Sequence, residues 1–181
     1  GGPPKDAVLT AKPDVGFTGT HSLHYTAKAS GSPQTAKLFD VDLRVETGTQ
    51  LSWLVFPRSV NDDLSNPANY VSIDLVFDDG SRMSALGLPD QHRVPATAAG
   101  QGAGRVLYPD QWNYVRVDLS APQGRRVRAI EVVTDAPAGQ ALAGWLGDVR
   151  LRAAPPVAAH PPPLPWTPLP APPPPPSPSP A

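Results

Sequence analysis

Apolar residues recur at every second position along most of residues 1–152, and that period decides the fold class. Side chains at i and i+2 share a face only in extended backbone, so a two-residue period writes strands with one buried and one wet face. Phe39, Val41, Leu43 and Val45 alternate with Asp40, Asp42, Arg44 and Glu46. Val71, Ile73, Leu75 and Phe77 alternate with Ser72 and Asp74 before an Asp78-Asp79-Gly80 turn, and Val115, Val117 and Leu119 alternate with Arg116 and Asp118. Trp145, Val149 and Leu151 share one parity, which predicts Trp145 in the core. The apolar run 51–56 suits a central strand covered on both sides, with Trp53 inside. Segments 23–29, 82–86, 105–108 and 126–134 complete a set of about nine short strands. Turn residues separate them, as at Gly31-Ser32-Pro33, Thr47-Gly48-Thr49 and Pro122-Gln123-Gly124, and no 3.6-residue period holds over three turns. The pattern predicts an all-β, antiparallel jelly-roll β-sandwich over residues 1–152. Two long connections, 57–69 and 87–104, break the rhythm, and such loops on a rigid sandwich are where binding groups gather.

Residues 153–181 have another character. Fifteen of the 26 prolines fall there, and no Asp, Glu, Lys or Arg follows Arg152. Proline fixes φ and lacks the amide donor, so this segment reads as a disordered, semi-rigid, proline-rich linker in extended conformation, joining the sandwich to another domain. The formal net charge is −1 with no basic block, which argues against nucleic acid as a partner. No apolar run approaches the roughly 18 residues that span a membrane. The absence of cysteine excludes disulfides, thiolate metal sites and a cysteine nucleophile. Gly1-Gly2-Pro3-Pro4 has neither the basic start nor the apolar stretch of a signal peptide, so the sequence reads as a mature or excised piece, and the linker points to a secreted, extracellular protein.

Motifs of catalysis are missing: there is no Gly-x-Ser-x-Gly elbow, no His-Glu-x-x-His and no phosphate-cradling glycine loop. Asp62-Asp63 and Asp78-Asp79 sit in turn sequences, where neighbouring side chains diverge. His21 and His24 lack a third metal ligand nearby. The expectation is a non-catalytic module.

Binding a sugar takes aromatic faces for the apolar side of a pyranose and planar polar groups for its hydroxyls. Trp112 and Tyr114 fall on the parity opposite to Val115 and Val117, beside Arg116. They face outward unless a bulge at the strand start shifts the register and buries Trp112. Asp90, Gln91 and His92 supply a carboxylate, an amide and an imidazole within one turn of the 87–104 connection, with Asn113 and Gln111 flanking Trp112. These groups either grip vicinal hydroxyls or satisfy the loop's own backbone. The expected glycan site is therefore Asp90, Gln91, His92, Trp112, Asn113, Tyr114 and Arg116. Gly100-Gln101-Gly102-Ala103-Gly104 gives the connection an adaptable, glycine-rich stretch.

Several segments resemble an accessory module found with actinobacterial α-mannosidases of glycoside hydrolase family 92. They include Lys37-Leu38-Phe39-Asp40-Val41-Asp42, Leu51-Ser52-Trp53-Leu54-Val55-Phe56-Pro57, Asp90-Gln91-His92, Gln111-Trp112-Asn113 and Gly144-Trp145-Leu146-Gly147-Asp148-Val149. Such modules are similar to galactose-binding-domain-like jelly rolls that act as carbohydrate-binding modules. The resemblance implies mannose- or galactose-containing glycans as partners, a covalently linked catalytic domain, and a structural calcium ion. Asp40 and Asp148 are the first candidates to hold that ion, ahead of Asp42 and Glu131. The catalytic mannosidase region has no counterpart in this chain. The alternative is a structural accessory domain that packs on a catalytic domain and binds no sugar.

Overall fold

The computed structural model describes residues 15–16, 22–59 and 64–153. Eight strands occur among them: β1 (Val15–Gly16), β2 (Ser22–Lys28), β3 (Gln34–Arg44), β4 (Thr49–Pro57), β5 (Val71–Phe77), β6 (Asn113–Asp118), β7 (Arg126–Thr134) and β8 (Ala141–Ala153). Every strand pairing is antiparallel. One sheet runs β2-β8-β4-β6, with β1 pairing farther along the edge of β8 that β2 also uses; the other runs β3-β7-β5. From β2 onward each strand lies in the sheet opposite its predecessor. That alternation is the jelly-roll form of the sandwich and fulfils the expectation drawn from the two-residue period. Apart from Ala153, which ends β8, the proline-rich segment lies outside the described residues, as do His21, Asp62, Asp63 and Trp166.

The core fills the space between the sheets. Leu51, Trp53 and Val55 of β4, Val115 and Val117 of β6, and Leu146, Val149 and Leu151 of β8 meet Ile73, Leu75 and Phe77 of β5 and Val127, Ile130 and Val132 of β7. Burying each large apolar side chain contributes about 1.5–3 kcal/mol, and this face-to-face closure sets the strand register.

The chain between β5 and β6 departs from expectation. Residues 82–86 and 105–108 are not strands: a 3-10 turn spans Met83–Leu86, and residues 105–108 lie in a turn entered by Arg105 at φ +53. Their apolar residues Met83 and Leu107 close the end of the core instead of joining a ladder. The glycine-rich stretch forms a short helix, α1 (Ala98–Gly104), whose N-cap Thr97 accepts a hydrogen bond from the Gly100 amide. Gly102 is there for packing, because a Cβ on it would lie 2.2 Å from the Tyr70 ring. The whole segment covers the outer side of β5. Ser72 and Asp74, wet by alternation, are 2% exposed: the Ser72 hydroxyl donates to Ala96 O at 3.3 Å, and Asp74 Oδ1 accepts from the Ser84 amide at 2.9 Å.

Candidate functional site

The site is built on β6, the edge of the larger sheet, and on the two loops beside it. An edge strand presents unpaired backbone groups. Here a side chain pairs them: Gln91 Nε2 donates to Tyr114 O at 2.6 Å, and its Oε1 accepts from the Arg116 amide at 2.9 Å. Asp90 then bridges to Val117 through the backbone, so the 87–97 loop lies against β6 as a partial extra strand.

Asp90 organises that loop. Its side chain is 7% exposed; Oδ1 accepts from the amides of His92 at 2.7 Å and Val94 at 3.0 Å, and Oδ2 accepts from Gln101 Nε2 at 2.9 Å. Asn113 does the same for residues 108–111. Its Oδ1 accepts from the Tyr108 amide at 2.9 Å, and its Nδ2 donates to Tyr108 O and Gln111 O, both at 2.9 Å. Asp110, at φ +60, ties this turn to the end of β4 by accepting from the amide and hydroxyl of Ser59. Those two bonds hold the Asp110 carboxyl below its ordinary range.

These ties leave three aromatic side chains outside. Tyr108 is 66% exposed, Trp112 47% and Tyr114 51%. Tyr108 and Tyr114 line a groove of about 270 Å³ together with Asp90, Gln91, His92 and Asn113. Trp112 and Arg116 are not among its lining residues; they stand on the adjoining outer face of the larger sheet. The outward parity read for Trp112 and Tyr114 holds. The polar residues divide: Asp90, Gln91 and Asn113 have their side chains committed to backbone and scaffold, so they position the site, while His92, Tyr114, Trp112 and Arg116 stay exposed.

Across the outer face the aromatic surface continues. Register places His24 of β2 opposite Trp145 of β8, and Trp145 opposite Phe56 of β4. Ring centroids are 5.1 Å apart for His24–Trp145, 5.6 Å for Trp145–Phe56 and 5.6 Å for Phe56–Trp112, the last two edge-to-face. Trp112 reaches over β4 to β8, where a Cβ on Gly147 would meet its ring edge at 3.5 Å. Trp145 therefore lies outside the core, contrary to its parity with Val149 and Leu151. A register shift opposite Ser52–Leu54, at Gly147 and Asp148 with Asp148 at φ +46, reverses the inward parity halfway along β8.

Tyr108 and Phe56 were not picked out from the sequence. The Pro109-Asp110 pair after Tyr108 is a turn signal that would have moved it out of a strand. Phe56 shares its parity with Ser52 and Leu54, opposite to Leu51, Trp53 and Val55, and so belongs to the outer face.

The expected calcium ligands do not converge. Asp40 and Asp42 lie on β3 and Glu131 on β7 in the smaller sheet, and Asp148 lies on β8 in the larger. Each holds a cation: Lys37 at 2.9 Å from Asp40, Arg126 from Asp42, Arg82 at 3.0 Å from Glu131, and Arg150 beside Asp148. As a set they do not form an oxygen cage for calcium, and no group of three or more His, Cys, Asp or Glu able to hold an ion occurs among the described residues.

No protein-family model and no curated protein matches the chain; neither comparison links it to the mannosidase-associated modules.

Proposed function

We propose that the sandwich is a non-catalytic glycan-binding module that keeps a covalently attached catalytic domain near its substrate. The observation that carries this reading is the exposure of Tyr108, Trp112 and Tyr114 on backbone fixed by Asn113, Gln91 and Asp110. Rigid, wet aromatic faces suit the apolar side of a pyranose, since stacking on them costs little side-chain ordering. His92 and Arg116 at the margins supply donors for hydroxyls. Affinity for a single site would be modest, and the benefit arises from effective concentration once the module is tethered.

A glycan array followed by isothermal titration with mannose- and galactose-containing oligosaccharides tests the reading. Binding is expected, with Trp112→Ala lowering affinity about 10- to 100-fold, the loss of one stacking partner and its buried area. No binding to any glycan, together with lower stability of Trp112→Ala, would instead support a domain that packs on its neighbour through the aromatic face.

A further inference from the structure

The outer face of the larger sheet carries a second pattern beside the aromatic row. Ser52 of β4 is flanked in register by Arg116 on β6 and by Arg150 on β8. One same-face position farther along, Gln50 is flanked by Asp118 and Arg152. Ser52 is 6% exposed and too short to rise between the two guanidinium groups. Tyr114, Leu54 and Gly147 form the row between the arginines and the aromatic row of Trp112, Phe56, Trp145 and His24. The face thus grades from rings to cations over two same-face steps, each about 7 Å along a strand.

The carboxylates on this face leave two of the arginines without an ion-pair partner. Asp148 pairs with Arg150, and Asp118 accepts from the amide and hydroxyl of Ser120. Arg116 and Arg152 form no ion pair among the described residues. Asp118 lies within electrostatic reach of Arg116 without bonding it, and, unlike the ion-paired Asp148, its charge is one a ligand's carboxylate would have to tolerate there.

From this juxtaposition we infer that the glycan bound is acidic: a uronate-bearing chain whose rings stack along the aromatic row and on Tyr114 while its carboxylates reach Arg116 and Arg152. A uronate carries its carboxylate on the rim of the pyranose. A ring lying on Tyr114 therefore presents that group sideways, toward the next same-face residue of β6, which is Arg116. The planar guanidinium meets a carboxylate through two parallel N–H donors, a match a neutral hydroxyl does not make. The inference rests on the glycan-binding reading above and narrows its ligand class.

The test uses the full chain and three probes: polygalacturonate, the same polymer fully methyl-esterified, and neutral mannan or galactan. Polygalacturonate is expected to bind at least about tenfold more tightly than its ester at low salt, the difference narrowing as salt screens it. Arg116→Ala is expected to weaken polygalacturonate about tenfold, corresponding to one charge-assisted hydrogen-bonded contact, and to weaken the ester, which loses only donors to neutral oxygens, clearly less. Arg152→Ala should act in the same direction, and Arg128→Ala, on the other sheet, should change nothing. Trp112→Ala should weaken both polymers. Equal binding of acid and ester overturns the inference, as does an unchanged affinity in Arg116→Ala or an equal loss in Arg128→Ala. Binding of mannan or galactan without polygalacturonate removes the acidic class and keeps the glycan module; silence from all three probes removes both.

Discussion

The two outer faces of the sandwich use their charges in opposite ways. On the smaller sheet, Arg126 and Arg128 both point at Asp42, Arg82 holds Glu131, and Lys37 holds Asp40. On the larger sheet, Arg116 and Arg152 stand without ion-pair partners among the described residues, two and three same-face positions along from the rings of Trp112, Phe56 and Trp145. Both faces carry exposed charged side chains and both alternate with a buried face, so the sandwich fold does not require the difference. A surface that neutralises itself has nothing left for a ligand. A surface that keeps cations unpaired on the same face as exposed aromatic rings pays for that arrangement in repulsion and wet apolar area, and the proposed glycan site rests on that difference.

The largest effect expected from breaking this contrast comes from the scaffold under the aromatic face. Asp90→Ala removes three hydrogen bonds from a buried carboxylate, leaves the His92 and Val94 amides without that acceptor and leaves the Gln101 amide with Pro95 O alone. Denaturant unfolding should show a loss of about 3 kcal/mol, and glycan binding should fall with it, because Gln91 then loses its grip on β6. Asn113→Ala comes next. It frees the 108–111 turn that carries Tyr108 and leads into Trp112, so stability should drop by about 2 kcal/mol and the affinity loss should be larger than the residue's own exposure warrants. If either variant keeps full affinity, the exposed rings do not depend on a fixed backbone and the contrast between faces loses its mechanism.

Sequence pattern carried the sandwich and its core because burial on one side of a strand imposes a two-residue period wherever the register is regular. It carried Trp112 and Tyr114 as outward residues for the same reason. Trp145 was lost where the register is irregular: the shift at Gly147 and Asp148 reverses parity within a single strand, and no local composition announces it. Asp90, Gln91 and Asn113 were legible as a polar cluster near the site, yet their roles were not. An amide that mimics a strand neighbour and an amide meant for a hydroxyl have the same chemistry, and only the position of β6 separates them. Ser72 and Asp74 show the converse case, since their alternation is right for a strand and their burial depends on a loop that arrives from ten to twenty-four residues farther along the chain.

A smaller effect is expected from pH. Asp110 titrates below the ordinary carboxylate range because the Ser59 hydroxyl and amide favour its charged form. A depressed folded value means the tie is fully present above the unfolded value near 4 and is lost as pH falls through the folded value. Glycan affinity should therefore hold on acidification from neutrality to about pH 4 and decline below it. Ser59→Ala should move the onset of that decline to higher pH, and an unchanged profile in the variant would detach the Asp110 tie from the site.

The smallest effect is expected on the opposite face, and it sharpens the comparison most. Asp42→Ala deprives Arg126 and Arg128 of the carboxylate they share, which makes the smaller sheet cationic in the way the larger one already is. Exposed ion pairs contribute little to stability, so the unfolding midpoint should stay where it is. Affinity for polygalacturonate should also stay within about twofold, because long-range attraction without a ring to stack on is largely screened at physiological salt. A clear gain in binding, surviving at physiological salt, would mean that free arginines alone recruit the polymer. The aromatic row would then be incidental to recognition, and the division between the faces would reduce to charge.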